Sequence, residues 1–243
     1  MLNVVKKFTD HRKPHQVSVV RSIGDIDPHI AAYHDPGSVI SEQYRAVFAR
    51  LQPAAHPYHY FVITSTSYHE GRSTALLNLA VTIVRETGKK VLVIDCDFQY
   101  PSLHQLLNLP LEGGILDILS GKAELQTVIK ETVLPNLSLL SAGSVPDNMF
   151  GIFGARKLKS TIEILKQRYD FLLFDTSPIG FHTDAGLLSE FVDGIVMVIR
   201  CEATQRESID MAKRKLENLQ TKVLGCILTD YKYHIPPLIY KLL

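Results

Sequence analysis

Residues 64–74 form the stretch of this sequence whose residue types are best suited to binding a phosphate. They are mostly small and polar, an apolar run precedes them at residues 60–63, and apolar residues at helical spacing follow them. A strand, a small-residue loop and a helix in this order can direct backbone N–H groups and a helix N-terminus at one anion. An ordinary turn between a strand and a helix has the same outline, so the loop alone leaves both interpretations open.

The loop agrees with the usual phosphate-loop pattern, G-x-x-x-x-G-K-[ST], at two of its four marked positions. Thr66, Gly71, Arg72 and Ser73 stand at these positions. Gly71 and Ser73 match the pattern, whereas Thr66 replaces a glycine and Arg72 replaces the lysine. The match is partial, so support for a phosphate site must come from other parts of the sequence.

Aspartates stand at the ends of two further apolar runs, Asp95 and Asp97 after one and Asp175 after the other. A carboxylate at the end of a buried strand is costly unless it meets a cation or hydrogen-bond donors. Beside a phosphate loop the simplest cation is Mg²⁺, which takes carboxylates, phosphate oxygens and a hydroxyl such as that of Ser73. Each aspartate alone could instead cap the turn that follows it. The three features together favour a metal–nucleotide site.

Apolar runs alternate with segments of helical periodicity along the chain. A run that is apolar throughout predicts a strand buried on both faces, as parallel strands are. The alternation predicts an α/β fold, a doubly wound, mainly parallel sheet with helices on both faces, and ligands bind beyond the carboxyl ends of such strands. The predicted strands are residues 59–64, 90–95, 137–140, 171–175, 194–199 and 223–228. The predicted helices are residues 38–51, one from the loop to 87, 102–107, 115–119, 148–168, 184–191 and 206–219.

The 243 residues are enough for one large domain, and a formal net charge of +1 offers no attraction to nucleic acid or to an anionic membrane. Cys96, Cys201 and Cys226 are far apart, which indicates reduced thiols and a cytoplasmic protein. There is no secretory signal and no apolar run long enough to span a bilayer, so we expect membrane association only through a partner. The predicted divisions are an N-terminal arm or linker (1–37), a domain (38–230) and a tyrosine-containing tail (231–243).

The order and spacing of these motifs resemble the bacterial tyrosine kinases (BY-kinases) of capsule and exopolysaccharide biosynthesis. This family lies within the deviant P-loop ATPases, which include septum-site and plasmid-partition proteins. The resemblance covers about residues 38–228 and implies a P-loop NTPase-like fold. The motifs that carry it are Ser41-Glu42-Gln43-Tyr44-Arg45, Glu70-Gly71-Arg72-Ser73-Thr74 with Asn78-Leu79-Ala80, Val93-Ile94-Asp95-Cys96-Asp97 with Pro101 and His104, Tyr169-Asp170 with Phe174-Asp175-Thr176-Ser177-Pro178, and Asp184-Ala185 with Asp193-Gly194.

The resemblance implies a tyrosine autokinase that regulates polysaccharide synthesis and export, with ATP and Mg²⁺ as cofactors. Asp95 would orient or deprotonate the acceptor hydroxyl, and Asp97 and Arg72 would complete the catalytic group. Mg²⁺ would be held by Ser73, Asp97 and Asp175. The residues that would bind the ATP phosphates are Glu70, Gly71, Arg72, Ser73 and Thr74.

In this family, the subunits of a ring phosphorylate one another on tail tyrosines, and a membrane adaptor activates them. The resemblance therefore implies that Tyr231, Tyr233 and Tyr240 are phosphoacceptors and that Glu42 and Arg45 form the contact of a homo-oligomer. The expected partner is a membrane-embedded polysaccharide co-polymerase or adaptor, which would bring the chain to the inner face of the plasma membrane. Alternatively, Tyr231 and Tyr233 could lie on one face of an edge strand, with their aromatic rings covering that edge of the sheet.

Five residues depart from the family pattern. Arg72 stands in place of a lysine, Gln99 and Phe48 in place of arginines, and Tyr68-His69 in place of Pro-Gly. Lysine is a compact point charge whereas arginine is a wide planar fork, and a left-handed backbone at His69 would cost about 1–2 kcal/mol. Two alternatives therefore stay open. One is a catalytically degenerate, nucleotide-binding regulatory module. The other is a membrane-positioning ATPase. Such proteins carry an extra lysine at the position of Thr66, and its absence here argues against this alternative.

Overall fold

A computed structural model describes residues 25–55, 57–145, 155–181, 184–219 and 222–232. In chain order the helices are α1 (Ala31–His34), α2 (Val39–Leu51), α3 (Arg72–Thr87), α4 (Leu103–Leu106), α5 (Ile115–Leu119), α6 (Leu125–Val128), α7 (Ala155–Arg168), α8 (Asp184–Leu188) and α9 (Arg206–Asn218). The strands are β1 (Tyr60–Ser65), β2 (Val91–Cys96), β3 (Ile129–Glu131), β4 (Leu137–Leu140), β5 (Phe171–Thr176), β6 (Gly194–Arg200) and β7 (Val223–Thr229). A short 3₁₀ helix, Ser189–Phe191, follows α8.

These strands form one sheet in the order β3-β4-β2-β5-β1-β6-β7. Neighbouring strands pair in parallel, except that β3 pairs with β4 in the antiparallel direction. The predicted doubly wound, mainly parallel sheet is therefore confirmed. The sequence did not predict β3, because a strand of three residues that are not fully buried has no clear apolar run.

Helices cover both faces of the sheet and form two hydrophobic cores. On one face, Leu76 and Ile83 of α3 are fully buried against the sheet, and on the other face Ile162 and Leu165 of α7 are fully buried. β2 and β5 are buried along their whole length, as their uninterrupted apolar runs predict. Close packing on both faces gives a rigid frame that holds the carboxyl ends of the central strands in place.

The last part of the predicted arm packs on the domain. Ile26 and Ile30 are buried in the core beside α3. The Asn78 side chain ties this segment to α3, because it accepts the N–H of Ala32 at 2.9 Å and donates to the carbonyl of His29 at 3.1 Å. Residues 1–24 lie outside the described residues, so the division at residue 37 stays a prediction.

Two further predictions concern long helical segments. The predicted helix 148–168 corresponds to α7 from Ala155 onward, and residues 148–154 lie outside the described part of the chain. Within the ranges given above, no helix has both the length and the apolar character needed to cross a membrane.

Candidate functional site

Three adjacent strands end at one edge of the sheet and bring the predicted site residues together. β5 lies between β2 and β1, and in its register Asp175 pairs with Asp95 on one side and with Ile63 on the other. The loop after β1, the turn after β2 and the turn after β5 therefore lie side by side. This edge is the place where doubly wound sheets bind their ligands.

The carboxylate of Glu70 holds the loop between β1 and α3 in shape. Its oxygens accept the N–H of Thr66 at 2.9 Å and the hydroxyls of Thr66 and Thr204, both at 2.6 Å. Gly71 then turns the chain into α3 with a φ of 79°. The hydrogen bonds of Glu70 therefore stabilise the conformation of the loop itself.

The turn after β5 comes close to this loop at Gly180. A side chain at this position would place its Cβ 2.5 Å from the Thr66 carbonyl oxygen, so only a glycine allows the approach.

His69 has a backbone φ of 62°, the left-handed conformation that the family's glycine would favour at this position. We expect His69→Gly to raise the free energy of unfolding by about 1 kcal/mol, because glycine removes the steric clash of Cβ in this conformation. Urea unfolding of the two proteins measures the difference. Tyr68→Gly is the control: Tyr68 is not left-handed, so its replacement should lower stability. An equal loss in both variants would contradict the strain at His69.

Arg72 points inward from the first turn of α3 and lies between two of the predicted metal ligands. Its Nε donates to Asp175 Oδ1 and its Nη2 donates to Asp97 Oδ2, both at 2.5 Å. Arg72 is 8% exposed, and both carboxylates are almost wholly buried. Burial alone would lower the pKa of Arg72, but the charges of Asp175 and Asp97 outweigh it and raise the pKa above its ordinary value. Arg72 is therefore a charged partner of both carboxylates.

Hydroxyl groups complete the contacts of these carboxylates. Ser73 Oγ donates to Asp175 Oδ2 at 2.5 Å, and Ser102 Oγ donates to Ser73 Oγ at 2.9 Å. Ser177 Oγ donates to Asp97 Oδ1 at 2.9 Å. The predicted metal ligands Ser73, Asp97 and Asp175 thus belong, with Arg72, to one hydrogen-bonded network from three strand ends, which we call the carboxylate network.

Asp95 directs its carboxylate at the backbone of the turn after β2. Oδ1 accepts the N–H of Asp97 at 3.2 Å, and Oδ2 accepts the N–H groups of Ser102 and Leu103, both at 3.0 Å. Burial, and then repulsion from Asp175, raises the pKa of Asp95 to about 8, although the three hydrogen bonds act to lower it. These contacts are typical of an aspartate that caps the following turn. Its catalytic role stays a prediction.

A cavity of about 650 Å³ opens beside the loop and is lined by residues 68–74, Asp97 and Tyr100, among others. Two aromatic rings, those of Tyr68 and Tyr100, line it, and Phe181 lies next to them. Tyr68 stacks on Phe181 with the ring centroids 5.8 Å apart and meets Tyr100 edge-on at 5.2 Å. Tyr100 and Phe181 are 66% and 63% exposed, so their rings are open to a ligand. The cavity thus combines the N-terminus of α3, one carboxylate of the network and an aromatic rim.

A second cavity, of about 710 Å³, lies on the other side of the α3 N-terminus. It shares Gly71 and Thr74 with the first cavity's lining and is bounded by residues of α2, α3 and β7. Tyr44, Asn78 and Tyr231 are among its other lining residues. The two cavities therefore adjoin at the start of α3, where the sequence predicts the phosphate site.

The carboxylate network contains the ligand types that Mg²⁺ prefers, two carboxylates and a hydroxyl. In this structure, however, one oxygen of each carboxylate binds the guanidinium of Arg72. Among the described residues no cluster of three His, Cys, Asp or Glu side chains could hold a metal ion. Ser73, Asp97 and Asp175 therefore fit Mg²⁺ as a partial ligand set, to which phosphate or water oxygens would have to be added.

The residues predicted for oligomer contact and phosphorylation lie outside this network. Glu42 and Arg45 form an ion pair with each other on α2. Tyr231 follows β7 and is 56% exposed. Tyr233 and Tyr240 lie outside the described residues. The roles of all five residues stay predictions.

Phe48, one of the departures from the family pattern, is explained by its packing. The ring of Phe48 lies 6.1 Å from that of Phe171 in an edge-on contact, so an arginine position has become part of the packing. Ser102, Ser177 and Thr204 contribute hydroxyls to the site but were not predicted. Ser177 stood in a motif already quoted, and Ser102 stood beside one. Thr204 carries no signal in the sequence, because it reaches Glu70 from 134 residues away.

Comparison with known proteins agrees with this geometry. A family model described as an AAA domain matches residues 69–226. The putative tyrosine-protein kinase CapB of Staphylococcus aureus is 33% identical over 198 residues, which cover 80% of this chain and 86% of that protein. The tyrosine-protein kinase YwqD of Bacillus subtilis is 32% identical over 205 residues, which cover 84% and 86% of the two chains.

Solved structures extend the agreement to the fold. The chimerical protein CapA2B2 superimposes with a TM-score of 0.79 at 29% identity, over 86% of this chain and 93% of that chain. The septum site-determining protein MinD of Pyrococcus horikoshii, complexed with Mg-ADP, superimposes with a TM-score of 0.58 at 27% identity, over 75% and 76% of the two chains. The chain therefore belongs to the bacterial tyrosine-protein kinases of capsule and exopolysaccharide systems, within the AAA-domain P-loop ATPases.

Proposed function

We propose that this chain is an ATP-dependent tyrosine kinase that regulates the synthesis and export of a capsular or extracellular polysaccharide. Its family membership supports the reaction class. The observation that carries the site is the convergence of Ser73, Asp97 and Asp175 beside the loop and its cavity. In the proposed reaction a tyrosine hydroxyl oxygen bonds to the γ-phosphorus of ATP as the bond from that phosphorus to the leaving ADP oxygen breaks. The proton of the hydroxyl is released to water.

The proposed phosphate site is formed by residues 70–74. Gly71 places the chain at the N-terminus of α3, a helix of 16 residues whose first N–H groups have no partners within the helix. These N–H groups and the helix dipole favour an anion at this point. The nucleoside would then extend from the phosphates into the second cavity, which shares Gly71 and Thr74 with the first.

Mg²⁺, when bound, would neutralise charge on the phosphates, and Ser73, Asp97 and Asp175 would hold it. The likeness to MinD complexed with Mg-ADP supports nucleotide and magnesium as the cofactors of this fold. Phosphoryl transfer depends mainly on position and charge, because the protein contributes little covalent chemistry. Because the carboxylate network is buried, we expect its charges to act strongly on the phosphates and the metal.

The acceptor tyrosine would enter through the aromatic rim formed by Tyr68, Tyr100 and Phe181. Aromatic rings attract one another by offset or edge-on contacts, so this rim suits an incoming tyrosine ring. Asp97 lines the cavity and would meet the hydroxyl directly. Asp95 would act on the hydroxyl through the turn that it caps, so we propose it as the residue that orients Asp97 for the transfer.

We further propose the acceptors and partners that the family resemblance implied. Tyr231, Tyr233 and Tyr240 of one subunit would receive the phosphoryl group from a neighbour, within a homo-oligomer formed through Glu42 and Arg45. A membrane-embedded polysaccharide co-polymerase or adaptor would activate the oligomer at the inner face of the plasma membrane. The exposure of Tyr231 supports its access to another subunit.

Detection of phosphotyrosine tests this function. The purified chain, incubated with Mg-ATP and the cytoplasmic part of its adaptor, should gain phosphotyrosine. Replacement of Tyr231, Tyr233 and Tyr240 together by Phe should abolish the signal, whereas Tyr33→Phe on α1 should retain it. Persistence of the full signal in the triple variant would reject the acceptor assignment. Absence of any signal in the unaltered chain would reject the kinase.

A second candidate function, a nucleotide-binding regulatory module without turnover, is favoured by the position of Arg72 on both carboxylates. A thermal unfolding titration separates the two candidates. ADP or ATP at 100 times its dissociation constant should stabilise the fold by about 2.7 kcal/mol. Stabilisation by nucleotide without phosphotyrosine would identify the regulatory module.

A further inference from the structure

The guanidinium of Arg72 lies where a metal ion would have to meet its protein ligands. It bridges Asp97 and Asp175 with two separate N–H groups, each 2.5 Å from a carboxylate oxygen. A guanidinium is a planar fork that can serve two acceptors at once, whereas the ammonium of a lysine is a single point. Of the two substitutions in the usual loop pattern, the replacement of lysine by Arg72 is therefore the one that makes this bridge possible.

The bridge offsets part of the negative charge of a buried site. Two carboxylates with almost no exposure would be very unfavourable without a nearby cation. Among the described residues, Arg72 is the cation that forms an ion pair with Asp97 and with Asp175. Arg72 thus supplies one positive charge at the place where Mg²⁺ would supply two.

We propose that Arg72 and the divalent cation exclude each other, so that the nucleotide-free protein is closed to metal and nucleotide must bind first. This inference rests on the proposed function, because it assigns an order of binding to the same site. Arg72 lines the cavity beside the loop as well as contacting the carboxylates. Phosphates in that cavity offer its guanidinium a second anionic partner, which releases Asp97 and Asp175 to the metal.

The test measures metal binding without nucleotide and does not depend on activity. Mn²⁺, a paramagnetic ion that prefers the same oxygen ligands as Mg²⁺, is titrated into the nucleotide-free chain and followed by electron paramagnetic resonance. The unaltered chain should show no binding to the carboxylate network. Arg72→Ala should bind Mn²⁺ at least roughly tenfold more tightly, because a positive charge close to the ion has been removed.

Thermal unfolding gives a second readout. Arg72→Ala leaves two buried carboxylates without a cation, so its melting temperature should fall, and addition of Mg²⁺ should restore most of the loss. The melting temperature of the unaltered chain should not respond to Mg²⁺ alone. Arg85→Lys is the matched control, since Arg85 lies near the other end of α3, and it should behave as the unaltered chain does.

The outcomes separate this inference from the proposed function. Mn²⁺ binding to the unaltered chain as tight as to Arg72→Ala would overturn the exclusion. If Arg72→Ala does not fold, Arg72→Gln, which also lacks the positive charge, makes the same comparison, and an affinity no tighter than that of the unaltered chain would also overturn it. Metal binding by the unaltered chain should begin when ADP is added. Failure of ADP to bind in any variant would instead reject the proposed nucleotide site.

Discussion

Replacement of Asp175 by Asn should lower phosphotyrosine formation by roughly a hundredfold or more, since in the proposed site the variant removes a carboxylate that would hold Mg²⁺ at the phosphates. Asp175 is fully buried and accepts hydrogen bonds from Arg72 Nε and Ser73 Oγ. An asparagine has the same size but lacks the negative charge, and its amide nitrogen would face one of these donors. We therefore also expect the free energy of unfolding to fall by about 3 kcal/mol, as when one partner of a buried ion pair is removed.

Incorporation of labelled phosphate measures the first effect, and urea unfolding measures the second. Asp210→Asn is a matched control, because Asp210 is exposed on α9 and should change neither quantity. Full phosphotyrosine formation by Asp175→Asn would show that this carboxylate is dispensable. The carboxylate network would then be a structural feature and not the site of transfer.

The second large effect is expected for Asp95→Ala, and it concerns stability. The change leaves the backbone N–H groups of Asp97, Ser102 and Leu103 without their carboxylate acceptor. Each buried N–H without a partner costs about 1–3 kcal/mol, so we expect the free energy of unfolding to fall by roughly 3 kcal/mol or more. Urea unfolding measures this loss in the absence of any nucleotide.

Asp193→Ala is the matched control for Asp95→Ala. The carboxylate of Asp193 also accepts two backbone N–H groups, those of His59 and Tyr60, but it is exposed, so water can replace it. Its removal should change stability by less than about 1 kcal/mol. A stable Asp95→Ala protein that lacks phosphotyrosine would instead show that Asp95 acts directly in the chemistry.

Both predictions follow from one property of the site, which is that its charged groups are buried and mutually dependent. Arg72, Asp97 and Asp175 have almost no exposure and share their hydrogen bonds. In such a network the loss of one member leaves the others uncompensated. Substitution of Asp175 should therefore lower stability and activity together. Substitution of residues at the aromatic rim, such as Tyr100 and Phe181, should not change the two quantities in parallel.

The parallel sheet and the position of the site could be predicted from the sequence, because both depend on patterns that are local in the chain. Uninterrupted apolar runs such as 91–94 and 171–174 indicate strands buried on both faces, and they lie within β2 and β5. The residues that follow parallel strands must meet at one edge. The proximity of Ser73, Asp97 and Asp175 was therefore predictable before any contact was known.

Only the tertiary structure decided how the side chains at that edge are used. The sequence shows that Arg72 replaces a lysine, but only the structure shows its guanidinium turned onto Asp97 and Asp175. Likewise Thr204 reaches Glu70, and Ile26 enters the core, from segments far away in the chain. Such contacts depend on which distant elements are packed together, and the periodicity of a single segment contains no information about its neighbours in space.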